Sequence, residues 1–307
     1  MYIAKHIAEF YYIILHFFKY IRIGVKLMNS EIVESYLISN NKVIPVSEAA
    51  TLPTSSSRTI YEVIRVISGI PLFLERHMER LEASARLIGS SLGSEAGMVE
   101  NSIRELITVN GSPDKNIKIL VYNLDSSTPI HMSYFIHSSY PAPEDYIKGV
   151  HGILLSEERT NPNAKVVNSN FKERVAAALV SAKAYEALLV NSANEITEGS
   201  RSNMFFIKEG KVLTAPKGNV LIGITRVCVF ELCKNLGIEI IEKPIFTSML
   251  REMDGVLMTG TSPKLLPIST IDDMNFNSAG NPVIKALIKG YDDMIKEYLK
   301  RCKKCPA

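Results

Sequence analysis

The sequence predicts an α+β protein: a small N-terminal unit built on an antiparallel sheet, followed by a larger α/β unit. Three observations carry this expectation. The 307 residues exceed the size that one hydrophobic core comfortably serves, so two units are expected. In the first half, short alternating strands flank two amphipathic helices. The segment Ser139-Tyr140-Pro141-Ala142-Pro143-Glu144 then places two prolines within three residues, as a linker would. The expected division is an N-terminal extension at 1–27, a small α+β domain at 28–138, a linker at 139–147 and a large domain at 148–302.

Residues 31–45 alternate like a strand pair turning at Asn40-Asn41, and residues 60–67 form a further strand that turns at Ser68-Gly69. Leu74, Met78, Leu81, Ala85 and Ile88 then form one helical stripe, with Glu75, Glu79, Glu82 and Arg86 off it. A second amphipathic helix covers 95–109, and strands at 116–123 and 132–138 join through Asp125-Ser126-Ser127. The large domain begins with a strand at 152–156. A polar loop then leads to Lys165 and a helix from about 168 to 185, a strand at 186–190 and a hairpin turning at Glu209-Gly210. A helix at 225–236 ends at Gly237, which suits the left-handed residue that closes many helices. Strands at 238–242 and 255–259, a short helix near Ser248 and a final helix at about 282–299 complete the chain.

Hydrophobic content of 46%, charged content of 22% and a net charge of +3 describe an ordinary globular protein and give no basis for nucleic-acid binding. Cys228 and Cys233 lie five apart on one helix and point in different directions, while Cys302 and Cys305 lack the second pair a metal or redox site needs, so they read as a frayed tail. Nothing requires an oxidising compartment, which favours the cytoplasm. Within 1–27 the uncharged run at 10–18 falls well short of the ~20 residues that span a bilayer. Basic residues follow it where a signal peptide would carry a cleavage site. A leader without structure or a misassigned start is expected there, with a membrane-surface helix as the alternative.

Three segments carry chemistry. Asn163-Ala164-Lys165-Val166-Val167-Asn168 places a lysine ahead of a helix, and Ile196-Thr197-Glu198-Gly199 places a carboxylate at a tight turn between strands. A buried lysine and carboxylate suit pyridoxal 5'-phosphate: the amine forms a Schiff base with its aldehyde, and the carboxylate keeps its ring nitrogen protonated. Leu221-Ile222-Gly223-Ile224-Thr225-Arg226 opens a helix with small and hydroxylic residues, as a phosphate site would. Lys172 and Lys183 compete with Lys165, but both lie among solvent-suited positions of the following helix. Lys165 instead follows an irregular loop directly after a strand.

With these segments, Tyr61-Glu62, His77-Met78-Glu79-Arg80-Leu81 and Thr259-Gly260-Thr261-Ser262 occur in an order that resembles the class IV aminotransferases, from about residue 28 to the C-terminus. This family, of PLP fold-type IV, includes branched-chain and D-amino acid aminotransferases and aminodeoxychorismate lyase. The resemblance implies a small α/β domain, a larger barrel-like α/β domain and a homodimer. It assigns Lys165 to the cofactor aldehyde and to proton transfer, and Glu198 to the pyridine nitrogen. Arg80, Ile224, Thr225 and Thr261, with Ser262 beside it, would hold the phosphate. The implied activity moves an amino group from an amino acid donor to a 2-oxo acid acceptor. A lyase eliminating pyruvate through the same lysine is the alternative, and a non-catalytic binding protein on the same fold is the alternative of another class.

The sequence also departs from the family. Ser55-Ser56-Ser57-Arg58-Thr59-Ile60 replaces a glycine-rich approach, Asn170 stands where branched-chain enzymes carry an aromatic hydroxyl, and no arginine stands near Asn123, where several relatives bind substrate carboxylate. Tyr61 and Arg58 are the expected substrate contacts, with Arg65 and His131 as further replacements for that arginine.

Overall fold

The computed structural model describes residues 31–51, 59–126, 129–159, 162–166 and 168–304. The expected N-terminal extension, Arg58, most of the serine-rich approach to it, and Cys305 lie outside these residues.

The N-terminal sheet contains six strands: β1 (Tyr36–Ser39), β2 (Lys42–Pro45), β3 (Ile60–Ile67), β4 (Ile70–Pro71), β5 (Asn116–Tyr122) and β6 (Ile130–Ile136). Their order is β2-β1-β6-β5-β3-β4, antiparallel throughout. Asn40 and Asn41 both adopt positive φ, 46° and 59°, which gives the two-residue connection a twist suited to the hairpin. Helices α1 (Leu74–Leu87) and α2 (Glu95–Val109) cover one face, where Leu81, Ala85, Ile103 and Leu106 pack on Ile60, Ile64, Ile117 and Ile119. Period-two alternation sends Tyr61, Leu120, Tyr122, Met132 and Tyr134 to the opposite face.

Within residues 139–147, expected as a linker, the chain enters the short helix α3 (Pro143–Lys148). Pro143 occupies the first turn, where a missing N–H costs nothing, and the Asp145 carboxylate accepts from the Ala142 N–H at 2.8 Å.

The C-terminal sheet comprises β7 (Val150–Ser156), β8 (Glu186–Val190), β9 (Ile196–Gly199), β10 (Asn203–Lys208), β11 (Lys211–Thr214), β12 (Ile240–Glu242), β13 (Gly255–Gly260), β14 (Lys264–Ile271) and β15 (Met274–Asn275). The main path is β12-β11-β10-β13-β14-β7-β8-β9, and β15 pairs with β14. Past β12 the chain meets β9: the Ile196 N–H donates to the Ile245 carbonyl at 2.7 Å, and the Thr247 N–H donates to the Asn194 carbonyl at 3.0 Å. These bonds draw the two ends of the sheet together into a curled half-barrel. Its inner face buries Met204, Phe206, Val256, Met258, Leu266 and Ile268. Phe205, Ile207 and Leu257 point outward to α5 (Ile224–Leu236) and α6 (Pro282–Lys304), and α4 (Ser169–Ala182) packs Phe171 and Val175 on Ala187 and Leu189.

One reading of the C-terminus changes. Residue 302 was expected in a frayed tail, but α6 continues through it and Cys302 packs against the α5–α6 core. The stripe Ile284, Leu287, Tyr291, Ile295 and Tyr298 extends to it at helical spacing. No described helix is long and apolar enough to cross a membrane.

Candidate active site

The site lies where the two sheets meet, and Lys165 is tied to the N-terminal one. β4 pairs with only the far end of β3, which leaves the edge at Ile60 and Tyr61 for another segment. The loop before α4 fills it. The Tyr61 N–H donates to the Lys165 carbonyl at 3.0 Å, Ile60 forms a bridge with Val166, and the Lys165 N–H reaches the Ser84 hydroxyl at 3.4 Å. The backbone is thereby held while the side chain extends over the Tyr61 ring, its Nζ 4.8 Å from the centroid. Burial pushes the Lys165 pKa down; Tyr61 and Glu62 resist the shift, and Arg80 and Arg159 reinforce it. An amine placed this way is more readily deprotonated than a surface lysine.

Glu198 sits on β9, 2% exposed. Its Oε2 accepts from the Leu221 N–H at 3.1 Å, and its Oε1 stands 3.3 Å from Arg159 Nε. Burial pushes this carboxyl up to about 7, against the opposing pull of Arg159, the Leu221 N–H and Lys165. Arg159 is an imperfect counter-ion, because its Nε has no hydrogen-bond partner although its Nη2 donates to the Ser200 carbonyl at 2.8 Å. The turn after Glu198 is fixed by the buried Glu186, which accepts from the Ser200 and Ser202 hydroxyls at 2.5 and 2.9 Å. A Cβ at Gly199 would lie 2.0 Å from the Ser202 hydroxyl; glycine lets this turn close.

Arg80, on α1, faces the C-terminal half. Its Nε and Nη2 grip the two oxygens of the fully buried Glu62 at 2.7 Å each, and its Nη1 donates to the Ile222 carbonyl at 3.2 Å. His77 Nδ1 lies 2.8 Å from the same carboxylate. Burial alone would raise the Glu62 pKa, but Arg80 and His77 overcome it and hold the group far below the usual carboxylate range. The fork therefore joins the N-terminal helix layer to the segment that opens α5. There Gly223 precedes Ile224 and Thr225, whose N–H groups have no acceptor within the helix. A Cβ at Gly223 would lie 2.2 Å from Asn203 Oδ1, and Asn203 anchors the segment through a 2.8 Å bond to the Leu221 carbonyl. The Thr225 hydroxyl approaches the Tyr291 hydroxyl at 3.5 Å, and Thr261 reaches the Val63 carbonyl at 3.4 Å.

Other expected contacts are engaged elsewhere. The Ser262 hydroxyl accepts from the Asn116 amide at 2.7 Å. Arg65 bonds the Ser262 carbonyl and stacks over Tyr140, 4.1 Å from its centroid, so it joins the two halves. His131 does not face the cleft: its partners are the Ser102 hydroxyl at 3.0 Å and Glu95 at 3.3 Å, both on α2. It pairs with Val121, on the helix-covered face, whereas Tyr61 lies on the other. Sequence reading gave no role to Arg159, and none to Glu62 and His77 beyond membership of a motif. Two strand-end signals bore on them, a basic residue in the loop beyond β7 and a lone acid within the apolar strand β3.

Residues 59–271 match the sequence profile of Amino-transferase class IV. The chain belongs to this family. It is 28% identical over 238 residues to the D-alanine aminotransferase of Bacillus licheniformis, covering 74% of this chain and 83% of the relative. The fold is that of the T.th. branched-chain amino acid aminotransferase with pyridoxamine 5'-phosphate, with a TM-score of 0.76 at 24% identity, 87% of this chain and 96% of the other being covered. The branched-chain amino acid aminotransferase from Escherichia coli aligns with a TM-score of 0.74 at 21% identity, over 86% and 95% of the two chains. Class IV aminotransferases use pyridoxal 5'-phosphate, and the donor set here fits such a group. The buried Glu198 with its unsatisfied arginine partner suits a cationic ring nitrogen. The Lys165 amine suits an aldehyde, and the open end of α5 beside Arg80 suits a phosphate.

Proposed function

We infer that this chain is a pyridoxal 5'-phosphate-dependent aminotransferase that moves an amino group between an amino acid and a 2-oxo acid, with Lys165 as its catalytic base and cofactor anchor. The observation that carries this reading is the pair of opposed shifts in one cleft. Burial lowers the Lys165 pKa and raises that of Glu198, so both groups are drawn toward their neutral forms. A lysine so placed can take a proton from substrate and return it. Glu198, held by the Leu221 N–H, would bind a protonated ring nitrogen and regain a charge partner. Arg80, Ile224, Thr225 and Thr261 would hold the phosphate, with Arg80 pre-oriented by Glu62. When bound, the cofactor supplies an electron-accepting ring and a carrier for the amino group. Tyr61, beside the Lys165 amine, would line the substrate space. A homodimer, with its sites near the boundary of the subunits and domains, belongs to the same reading.

Purified protein loaded with the cofactor should show the absorbance of a lysine-bound pyridoxal and transfer amino groups to pyruvate or 2-oxoglutarate. Lys165→Ala should fold yet lose both the band and turnover. Retention of both by Lys165→Ala, with their loss in Lys172→Ala, would refute the assignment. Pyruvate release without an acceptor would point instead to elimination.

A further inference from the structure

Lys172, in the first turns of α4, was expected to lie on a hydrated face, and it is exposed. Its ammonium nevertheless stands 5.2 Å from the centroid of the Tyr61 ring, the same ring that lies 4.8 Å from the Lys165 amine nitrogen. The two nitrogens are thus no more than about 10 Å apart, the limit reached when both distances lie along one line. The other described cations of the site already face acceptors or rings: Arg80 faces Glu62, Arg159 faces Glu198 and the Ser200 carbonyl, although its Nε lacks a hydrogen-bond partner, and Arg65 faces Ser262 and Tyr140. Lys172 makes no ion pair among the described residues, and its charge faces the Tyr61 ring.

We propose that Lys172 is a specificity-determining residue that receives the second, non-reacting carboxylate of a dicarboxylic amino donor or oxo acid. In a five-carbon dicarboxylic amino acid the distal oxygens lie up to roughly 6 Å from the amino nitrogen, and a charge-assisted hydrogen bond adds ~2.8 Å, a reach comparable with the upper limit on the separation of the two lysine nitrogens. Tyr61, whose ring lies near both lysine nitrogens, would pack against the aliphatic carbons between the two ends. Lysine at this place acts as a flexible point charge, so it would accept acids of four or five carbons.

The proposal rests on the aminotransferase reading, and a binding measurement separates the two. Glutarate, which has no amino group to transfer, is titrated calorimetrically into the cofactor-loaded protein and into Lys172→Gln, Lys172→Glu and Lys172→Arg. The expected result is about ten-fold weaker glutarate binding in Lys172→Gln, a larger loss in Lys172→Glu and near-retention in Lys172→Arg. In parallel, KM for glutamate should rise about ten-fold in Lys172→Gln with kcat little changed, while KM for a neutral donor such as leucine stays constant. Unchanged glutarate binding in Lys172→Gln, or equal losses for neutral and acidic donors, would overturn the proposal. Absence of turnover with every donor, together with Lys172-dependent glutarate binding, would overturn the aminotransferase reading and leave the carboxylate site standing.

Discussion

Glu198→Gln should stabilise the cofactor-free protein while impairing the loaded enzyme. The carboxyl is raised from an ordinary 4.5 to about 7 in the folded chain, so between these values the folded state binds more protons than the unfolded state. Stability therefore falls as pH rises through this window, and above about pH 7 the folded chain carries an ionised carboxylate that burial disfavours. One pKa unit corresponds to about 1.4 kcal/mol, so the full window is worth about 3 kcal/mol. Glutamine keeps the shape and an acceptor for the Leu221 N–H without the charge. Urea denaturation of the cofactor-free proteins should show the variant about 3 kcal/mol more stable at pH 8 and nearly equal to the wild type at pH 4.5. With cofactor the order should reverse, because glutamine cannot hold a ring nitrogen in its protonated form and turnover should drop steeply. A cofactor-free variant less stable than wild type at pH 8, or a stability difference independent of pH, would refute the reasoning.

Glu62→Gln should destabilise the fold by about 3 kcal/mol at neutral pH, measured by urea denaturation, because it leaves the part-buried Arg80 without its counter-charge. In the wild type this stabilisation is present above pH ~4.5, the ordinary carboxylate range, and is lost as pH falls through the strongly depressed value of the folded state. Arg80→Ala should weaken cofactor binding about ten- to a hundred-fold, read by absorbance titration. Excess cofactor should restore only part of its activity, since the orphaned Glu62 carboxylate also costs stability; full rescue with unchanged melting would show that the Glu62 pair is energetically idle.

Much of the fold was legible because local chemistry and tertiary demand agreed. Asn40-Asn41, Glu209-Gly210 and Gly237 each mark a positive-φ turn or cap, and each occupies one. β14 escaped notice because Pro267 interrupts a run that otherwise reads as a strand. Its missing N–H is tolerated because Pro267 pairs with Leu257 on one side, while pairing to β7 begins only at Ile268, beside an irregularity in register. Lys165, Glu198 and the start of α5 stood out as candidates because each belongs to a short motif placed beside a regular element. Arg159 could not, because its importance arises from a contact across 39 residues of sequence, which no local pattern encodes. The same limit hid the meeting of Lys172 with Tyr61, since nothing in helical periodicity reveals which ring will lie beside an exposed side chain.

The backbone splice between Lys165 and β3 has a mechanical corollary. The lysine belongs in sequence to the C-terminal half but is hydrogen-bonded to the N-terminal sheet, whereas Glu198 is embedded in the half-barrel. Rocking one half against the other would carry the amine with β3 and leave the carboxylate behind, unless the bonds at Ile60 and Tyr61 broke first. The spacing of the two groups thus doubles as a gauge of how far the halves are open, and slow exchange of the Tyr61 amide would report that the gauge is engaged.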